Sequence, residues 1–252
     1  MKSILIVTPF RNEEHSIPHY LKALKALDYP FELVDVYWLE NDSSDNTLEM
    51  LKDAKNDMPF KSTVLETINI LGSQKKRAAG SYFKDLPTGP NRKITWPVIW
   101  NKHFLPLIKK SRVDYVLVWY ADAVAPPNII TEYLKVFSEY GDAGWVGGAM
   151  HRRKGYSSLR RGKAVMPLAF PLPLSLVGSK KVVRVSYTGH CWMCPRQPLS
   201  KTEFYNHRGH DMHLSLIKGL SEQGLSVYYQ PTVYLKHIST DGKIYRHELG
   251  KT

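Results

Sequence analysis

Acidic residues are missing from a long interval of this 252-residue chain. Between Asp142 and Glu203 there is no Asp or Glu, while the same interval holds eleven Lys and Arg. The whole chain has 35 basic and 23 acidic residues, a net charge of +12; taking those eleven away leaves 24 basic against 23 acidic. The excess is therefore one local patch, and such a patch attracts polyanions: nucleic acid, anionic lipid head groups or acidic glycans. Cysteine is scarce too. Cys191 and Cys194 are the only two, a count that fits a reducing cytosol. One CxxC is half of a zinc site, and the pair reads as buried thiols. Long uncharged apolar runs are lacking. The longest, Ala164 to Ser179, contains three prolines and falls short of the roughly 20 residues of a spanning helix. The start carries no signal-peptide pattern, because MKSILIVTPF runs straight into a charged RNEE. The expected location is the cytoplasm, or a host cytoplasm for a virus-encoded protein.

With 43% apolar residues the chain can bury a large core, and its length suits one α/β domain. SILIVTP (3–9) reads as a first strand and Leu33 to Leu39 as a second, with a helix carrying Ile17, Leu21, Leu24 and Leu27 between them. ENDSSDNT (40–47) is a turn in which Ser44 or Asp45 would cap the helix of Leu48 to Ala54. STVLETINI (62–70) is a third strand, and Ile94 to Lys110 a helix despite Pro97 and Pro106. The apolar run of Val113 to Ala121 is a central strand stopped by Asp122 and Pro126-Pro127. Ile129 to Phe137 is a helix and Ala143 to Met150 a strand; residues 151–180 read as a long segment with weak periodicity. Lys181 to Tyr187 alternate like a strand, Pro195 to Leu199 suggest a short helix, Gly209 to Gln223 a longer one, and Leu225 to Tyr229 a last strand. Helices alternating with apolar strands predict a mostly parallel sheet with right-handed crossovers.

Four polar clusters follow strands: Thr8 to Glu13, Glu40 to Asp45, Tyr120 to Asp122, and the region of Asp211 and His237. Ligands of open α/β sheets bind beyond the carboxyl ends of strands, so these clusters can share one crevice. That pattern specifies a site and no reaction. Asp122 alone reads better as a cap of the following helix.

The residues resemble those of nucleotide-sugar glycosyltransferases of GT-A fold, closest to the broad family 2 type, with some likeness to fungal Golgi mannosyltransferases around residues 92–127. TPFRNEE is similar to the family's first Pro-containing turn, and ENDSSDNT aligns with its DDGSTDGT-like turn. The resemblance implies nucleotide-sugar contacts from Thr8, Pro9, Arg11, Glu13, Glu40 and Asp45. KKRAAG, with Arg77, resembles the basic segment that touches the nucleotide. YAD stands where the family has the metal motif DAD, so Tyr120 replaces the first Asp and Asp122 keeps the second. Asp122 with His237 would then bind Mn²⁺ or Mg²⁺, donor diphosphate completing the shell. RGHDMHLSL places Asp211 where inverting members keep the catalytic base. The implied architecture is a single GT-A domain over 1–252, with residues 1–125 binding the nucleotide sugar and 126–252 the acceptor. The implied reaction is transfer of a hexosyl group from a UDP- or GDP-sugar to a hydroxyl.

The acid-free interval falls on the acceptor side of such enzymes. Arg152, Arg153, Arg160, Arg161, Lys180 and Lys181 would hold phosphates, and Tyr156, Phe170 or Trp192 would stack on a displaced base. A hydroxymethylated base in DNA is the slightly preferred acceptor. The other readings are an anionic membrane presenting a lipid-linked or polysaccharide acceptor, and a nucleic-acid-binding module of the same fold without catalysis.

Overall fold

The computed structural model describes residues 1–70, 96–152, 156–157, 181–204, 213–238 and 242. Its strands are β1 (Ile4–Phe10), β2 (Val34–Asn41), β3 (Ser62–Ile68), β4 (Tyr115–Trp119), β5 (Ala123–Val124), β6 (Ala143–Arg152), β7 (Tyr156–Ser157), β8 (Val183–Val185), β9 (Cys191–Pro195) and β10 (Ser226–His237). Its α-helices are α1 (Ile17–Lys25), α2 (Thr47–Lys55), α3 (Leu105–Lys110), α4 (Ile129–Glu139), α5 (Arg196–Leu199) and α6 (Leu214–Ser221). Among the described residues these strands form one sheet in the order β3-β2-β1-β4-β9-β6-β10-β5, with β7 on β6 and β8 on β10. This is the mixed, mostly parallel sheet flanked by helices that the alternating pattern predicts.

The sheet has a core on each face, and alternation along β1 shows why. Ile4 and Ile6 pack with Ile17, Tyr20 and Leu24 of α1 and with Ile129, Ile130 and Tyr133 of α4. Leu5 and Val7 face the other way, toward Trp100, Phe104 and Ile108. Successive strand side chains alternate between faces, so a run buried on both sides reads as continuous apolar sequence.

The expected helix of 94–110 is a helix with a defect. Ile99–Phe104 form a π-helical turn that leads into α3. Pro106 has no N–H to donate one turn back and its ring crowds the preceding turn; the wider π turn accommodates both. The last strand is longer than expected, because β10 continues past a register shift between Tyr229 and Tyr234 to reach His237.

The sequence reading missed β9. It lies antiparallel between β4 and β6, pairing Val118 with Trp192 and Val146 with Met193. CWMC is buried on both faces, so it shows no alternation. Cys191 belongs to one core and Cys194 to the other. Both are free, buried thiols, as expected, and their opposite directions rule out a disulfide or a shared metal between them.

Candidate functional site

In the strand order β2-β1-β4 the chain moves outward from β1 in one direction, then returns to start on its other side. The loops after β1 and β4 therefore diverge at a topological switch point, where open α/β sheets bind ligands. Phe10 pairs with Glu40 in register, so the loop after β2 begins beside the loop after β1.

Those two loops are stitched together. Asn12 and Asp42 both adopt φ +53°, a left-handed conformation that Asn and Asp tolerate better than most residues. The Asn12 Oδ1 accepts the Ser44 N–H at 2.8 Å, and the Asn12 N–H donates to Ser43 Oγ at 3.1 Å. The Glu14 N–H donates to Asp45 Oδ2 at 3.1 Å, and Glu14 Oε2 accepts the Asn46 N–H at 3.0 Å. Asp45 Oδ1 takes the Thr47 N–H at 3.0 Å, but the N-cap position of α2 is held by Asn46, not by Ser44 or Asp45 as expected. Glu40 is only 2% exposed, and its Oε1 accepts the Ser43 N–H at 2.8 Å. Asp42 Oδ2 receives the Ile70 N–H at 3.1 Å, tying the end of the β3 region to the same turn.

Of the expected nucleotide-binding residues, Arg11, Glu13 and Asp45 lie in this stitched pair of loops, and Glu40 lies near the end of β2 that leads into them. Glu13 Oε2 accepts Ser16 Oγ–H at 2.5 Å. The Arg11 Nε is buried with no hydrogen-bond partner among the described residues. Pro9 sits within β1 opposite Leu39. Thr8 is a correction. Its side chain is fully buried and shares a 2.8 Å hydrogen bond with the Tyr20 hydroxyl on α1. It faces the core, so a ligand can meet only its backbone. Burial also pushes the Tyr20 phenol far up. Arg77 lies outside the described residues.

The second wall is the turn after β4. The Ala123 N–H donates to the Tyr120 carbonyl at 3.0 Å, and the Tyr120 N–H donates to the His190 carbonyl at 3.1 Å. The Trp119 indole N–H donates to the Ala123 carbonyl at 2.7 Å. Beyond the turn, β5 pairs antiparallel with the end of β10, Ala123 opposite His237. The Ile238 N–H closes on the Asp122 carbonyl at 2.8 Å. These contacts leave His237 Nε2 3.3 Å from Asp122 Oδ2, with the two side chains 21% and 28% exposed. The N-cap position of α4 is held by Asn128, so Asp122 is not the residue at the start of that helix.

Asp122 and His237 offer a carboxylate oxygen and an imidazole nitrogen, a donor set suited to Mn²⁺. Among the described residues no group of three or more His, Cys, Asp or Glu is placed to hold a metal. A metal here would have two protein ligands and would need further oxygens from substrate and water. The first carboxylate of the family's motif is replaced by a buried phenol. Tyr120 is 7% exposed, and its hydroxyl lies 2.6 Å from His213 Nε2.

Trp192 needs correction as an acceptor contact. It is 1% exposed and stacks on Trp145 with ring centroids 3.7 Å apart, so it is core and presents no face to a base. Lys181 is exposed just ahead of β8, and Arg152 ends β6. Asp211, Arg153, Arg160, Arg161, Lys180 and Phe170 lie outside the described residues.

Sequence reasoning overlooked Asn12, Asp42, Tyr187 and His213. The first two carried a signal, since Asn and Asp between a strand and a helix are the residues most apt to take positive φ. His213 carried none, because its partners Tyr120 and Tyr187 are distant in sequence.

Comparison with known proteins supports the fold. The Anp1 family model matches residues 1–92, ahead of the stretch 92–127 in which the fungal likeness is read above. Human inactive glycosyltransferase 25 family member 3 is 40% identical over 53 residues, 21% of this chain and 9% of that protein. The mannan polymerase II complex anp1 subunit of Schizosaccharomyces pombe is 39% identical over 51 residues, 20% of this chain and 12% of that protein. These matches thus span about a tenth of the relatives' length. Among solved structures, the mannosyltransferase PcManGT from Pyrobaculum calidifontis, in complex with GDP-Man and Mn²⁺, superposes with TM-score 0.58 at 13% identity, covering 94% of this chain and 57% of that one. S. aureus TarS 1-349 with UDP-GlcNAc gives TM-score 0.54 at 14% identity, with 90% and 58% covered. Glucosyl-3-phosphoglycerate synthase from Mycobacterium tuberculosis, with Mn²⁺, UDP and glucosyl-3-phosphoglycerate, gives 0.52 at 14%, with 94% and 72% covered. The match over residues 1–92 spans TPFRNEE and ENDSSDNT, and the chain has the fold of the GT-A glycosyltransferases.

Proposed function

We propose that this chain is a glycosyltransferase that moves a hexosyl group from a UDP- or GDP-sugar to a hydroxyl acceptor. The observation that carries the reading is the Asp122–His237 pair, assembled at the switch-point end of the sheet from the turn after β4 and the end of β10. Its support is that three proteins of the same fold hold UDP-GlcNAc, GDP-Man with Mn²⁺, or UDP with Mn²⁺.

Asp122 and His237 would hold Mn²⁺ or Mg²⁺, which when bound supplies positive charge to the departing diphosphate. Arg11, whose Nε is buried in the loop after β1 with no hydrogen-bond partner among the described residues, would orient a phosphate oxygen. Glu40 uses one oxygen on the Ser43 N–H and would offer the other to the nucleoside. Asp45 uses both oxygens on backbone N–H groups, so its part is to fix the loop that follows Glu40. Asp211 would take the proton of the acceptor hydroxyl as that oxygen attacks the anomeric carbon. The donor reading is tested by calorimetry with UDP- and GDP-sugars, with and without Mn²⁺. Binding of a nucleotide sugar supports it, and failure of every donor to bind refutes it.

The acid-free interval supports a polyanionic acceptor, a hydroxymethylated base in DNA in the first instance. Likeness to a mannan polymerase subunit favours a second reading, a lipid-linked or polysaccharide acceptor at a membrane surface. Transfer of labelled sugar to modified duplex DNA, against transfer to an oligosaccharide on anionic vesicles, separates the two. A third reading, binding without catalysis, draws on Tyr120 and on likeness to an inactive glycosyltransferase 25 family member; turnover with any donor excludes it.

A further inference from the structure

Beneath the turn that carries Asp122 lies a buried polar chain enclosed by aromatic rings. His213 is 4% exposed. Its Nε2 lies 2.6 Å from the Tyr120 hydroxyl and its Nδ1 3.0 Å from the Tyr187 hydroxyl. The rings of Trp96, Trp145 and Trp192 lie with centroids 6.1, 5.8 and 6.2 Å from the imidazole. Each ring nitrogen thus has a tyrosine hydroxyl within hydrogen-bond distance, in an apolar surround. Gly189 makes room for this: a Cβ there would stand 2.3 Å from the Tyr187 hydroxyl.

Tyr120 also opens the turn. Its carbonyl accepts the Ala123 N–H, and the next residues carry Asp122 to His237. His213 is the N-cap residue of α6, so the Tyr120–His213 bond joins the end of β4 to the start of a helix on the second core. A tyrosine in place of a carboxylate has thus exchanged a ligand for a tether.

We propose that His213 is a positioning residue: acting through the Tyr120 hydroxyl, it fixes the Tyr120–Ala123 turn and so holds the Asp122 carboxylate against His237. The proposal deepens the donor-site reading above and rests on it for its effect on substrate.

The test uses three variants of the full chain. Tyr120→Phe removes only the hydroxyl. His213→Gln keeps a polar group near the Nε2 position, which reaches Tyr120. His213→Asn keeps one near the Nδ1 position, which reaches Tyr187. Two quantities are read: exchange of the Ile238 amide hydrogen, bonded to the Asp122 carbonyl, and Mn²⁺-dependent affinity for UDP- and GDP-sugars. Tyr120→Phe and His213→Asn should speed Ile238 exchange and weaken donor affinity by about tenfold each, with His213→Gln within about threefold of wild type. Unchanged Ile238 exchange in both Tyr120→Phe and His213→Asn overturns the proposal. So does equal loss in His213→Gln and His213→Asn that merely follows a lowered melting temperature. A wild type that binds no nucleotide sugar refutes the donor reading instead, and the amide exchange then decides the positioning claim alone.

Discussion

The two walls of the crevice are built differently. In the loops after β1 and β2, Asp45, Glu14 and one oxygen of Glu40 accept backbone N–H groups, so the acidic side chains set the shape of the loops. In the turn after β4, backbone hydrogen bonds close the turn, and the Asp122 carboxylate meets His237. The first wall is a rigid cradle made by its carboxylates. The second sets its carboxylate beside His237 and rests on the aromatic core below.

The largest expected effect comes from removing the support of the second wall. Trp192→Ala opens a cavity against Trp145 and Trp100 and should destabilise the fold by about 3–5 kcal/mol, measured by urea unfolding. Asp122→Ala should weaken Mn²⁺-dependent nucleotide-sugar affinity about 100-fold while shifting stability by less than about 1 kcal/mol. Isothermal calorimetry paired with a thermal melt checks both halves of that statement. Asp45→Ala should do the reverse: a loss of about 1–3 kcal/mol in stability from two orphaned N–H groups, with the donor weakened only through a loosened loop.

The smallest effect is a control at the opposite end of the sheet. The Ser3 N–H, donating to Asp114 Oδ2 at 2.8 Å, holds the Asp114 carboxyl below its usual range. A folded-state pKa below the unfolded one gives stability that is present above the unfolded value and lost as pH falls through the folded one. Wild type should therefore lose stability below about pH 4, and Asp114→Asn should flatten part of that loss. Urea midpoints at neutral and acidic pH measure it, and donor affinity at neutral pH should not move.

Much of this was legible because its signals are local. The double-faced apolar runs of β1, β2 and β4 and the helical spacing of Ile17 to Leu24 announce themselves in the chain order. Asp122 and His237 were readable as a pair only through resemblance, since no local rule links a strand end to a residue so far downstream. What was hidden depended on pairing across the chain. CWMC became a strand because β4 and β6 left a gap of strand width, and Trp192 looked available for stacking until Trp145 covered it. Thr8 appeared to face the crevice because it leads into the polar turn after β1; strand alternation turns its side chain onto Tyr20.

The most direct test of the central claim is calorimetric titration of UDP- and GDP-sugars into wild type, Asp122→Ala and His237→Ala, with and without Mn²⁺. The account predicts that wild type binds at least one donor more tightly with Mn²⁺ and that both substitutions remove the Mn²⁺ enhancement. Absence of donor binding by wild type, or an Mn²⁺ enhancement preserved in Asp122→Ala, would contradict it.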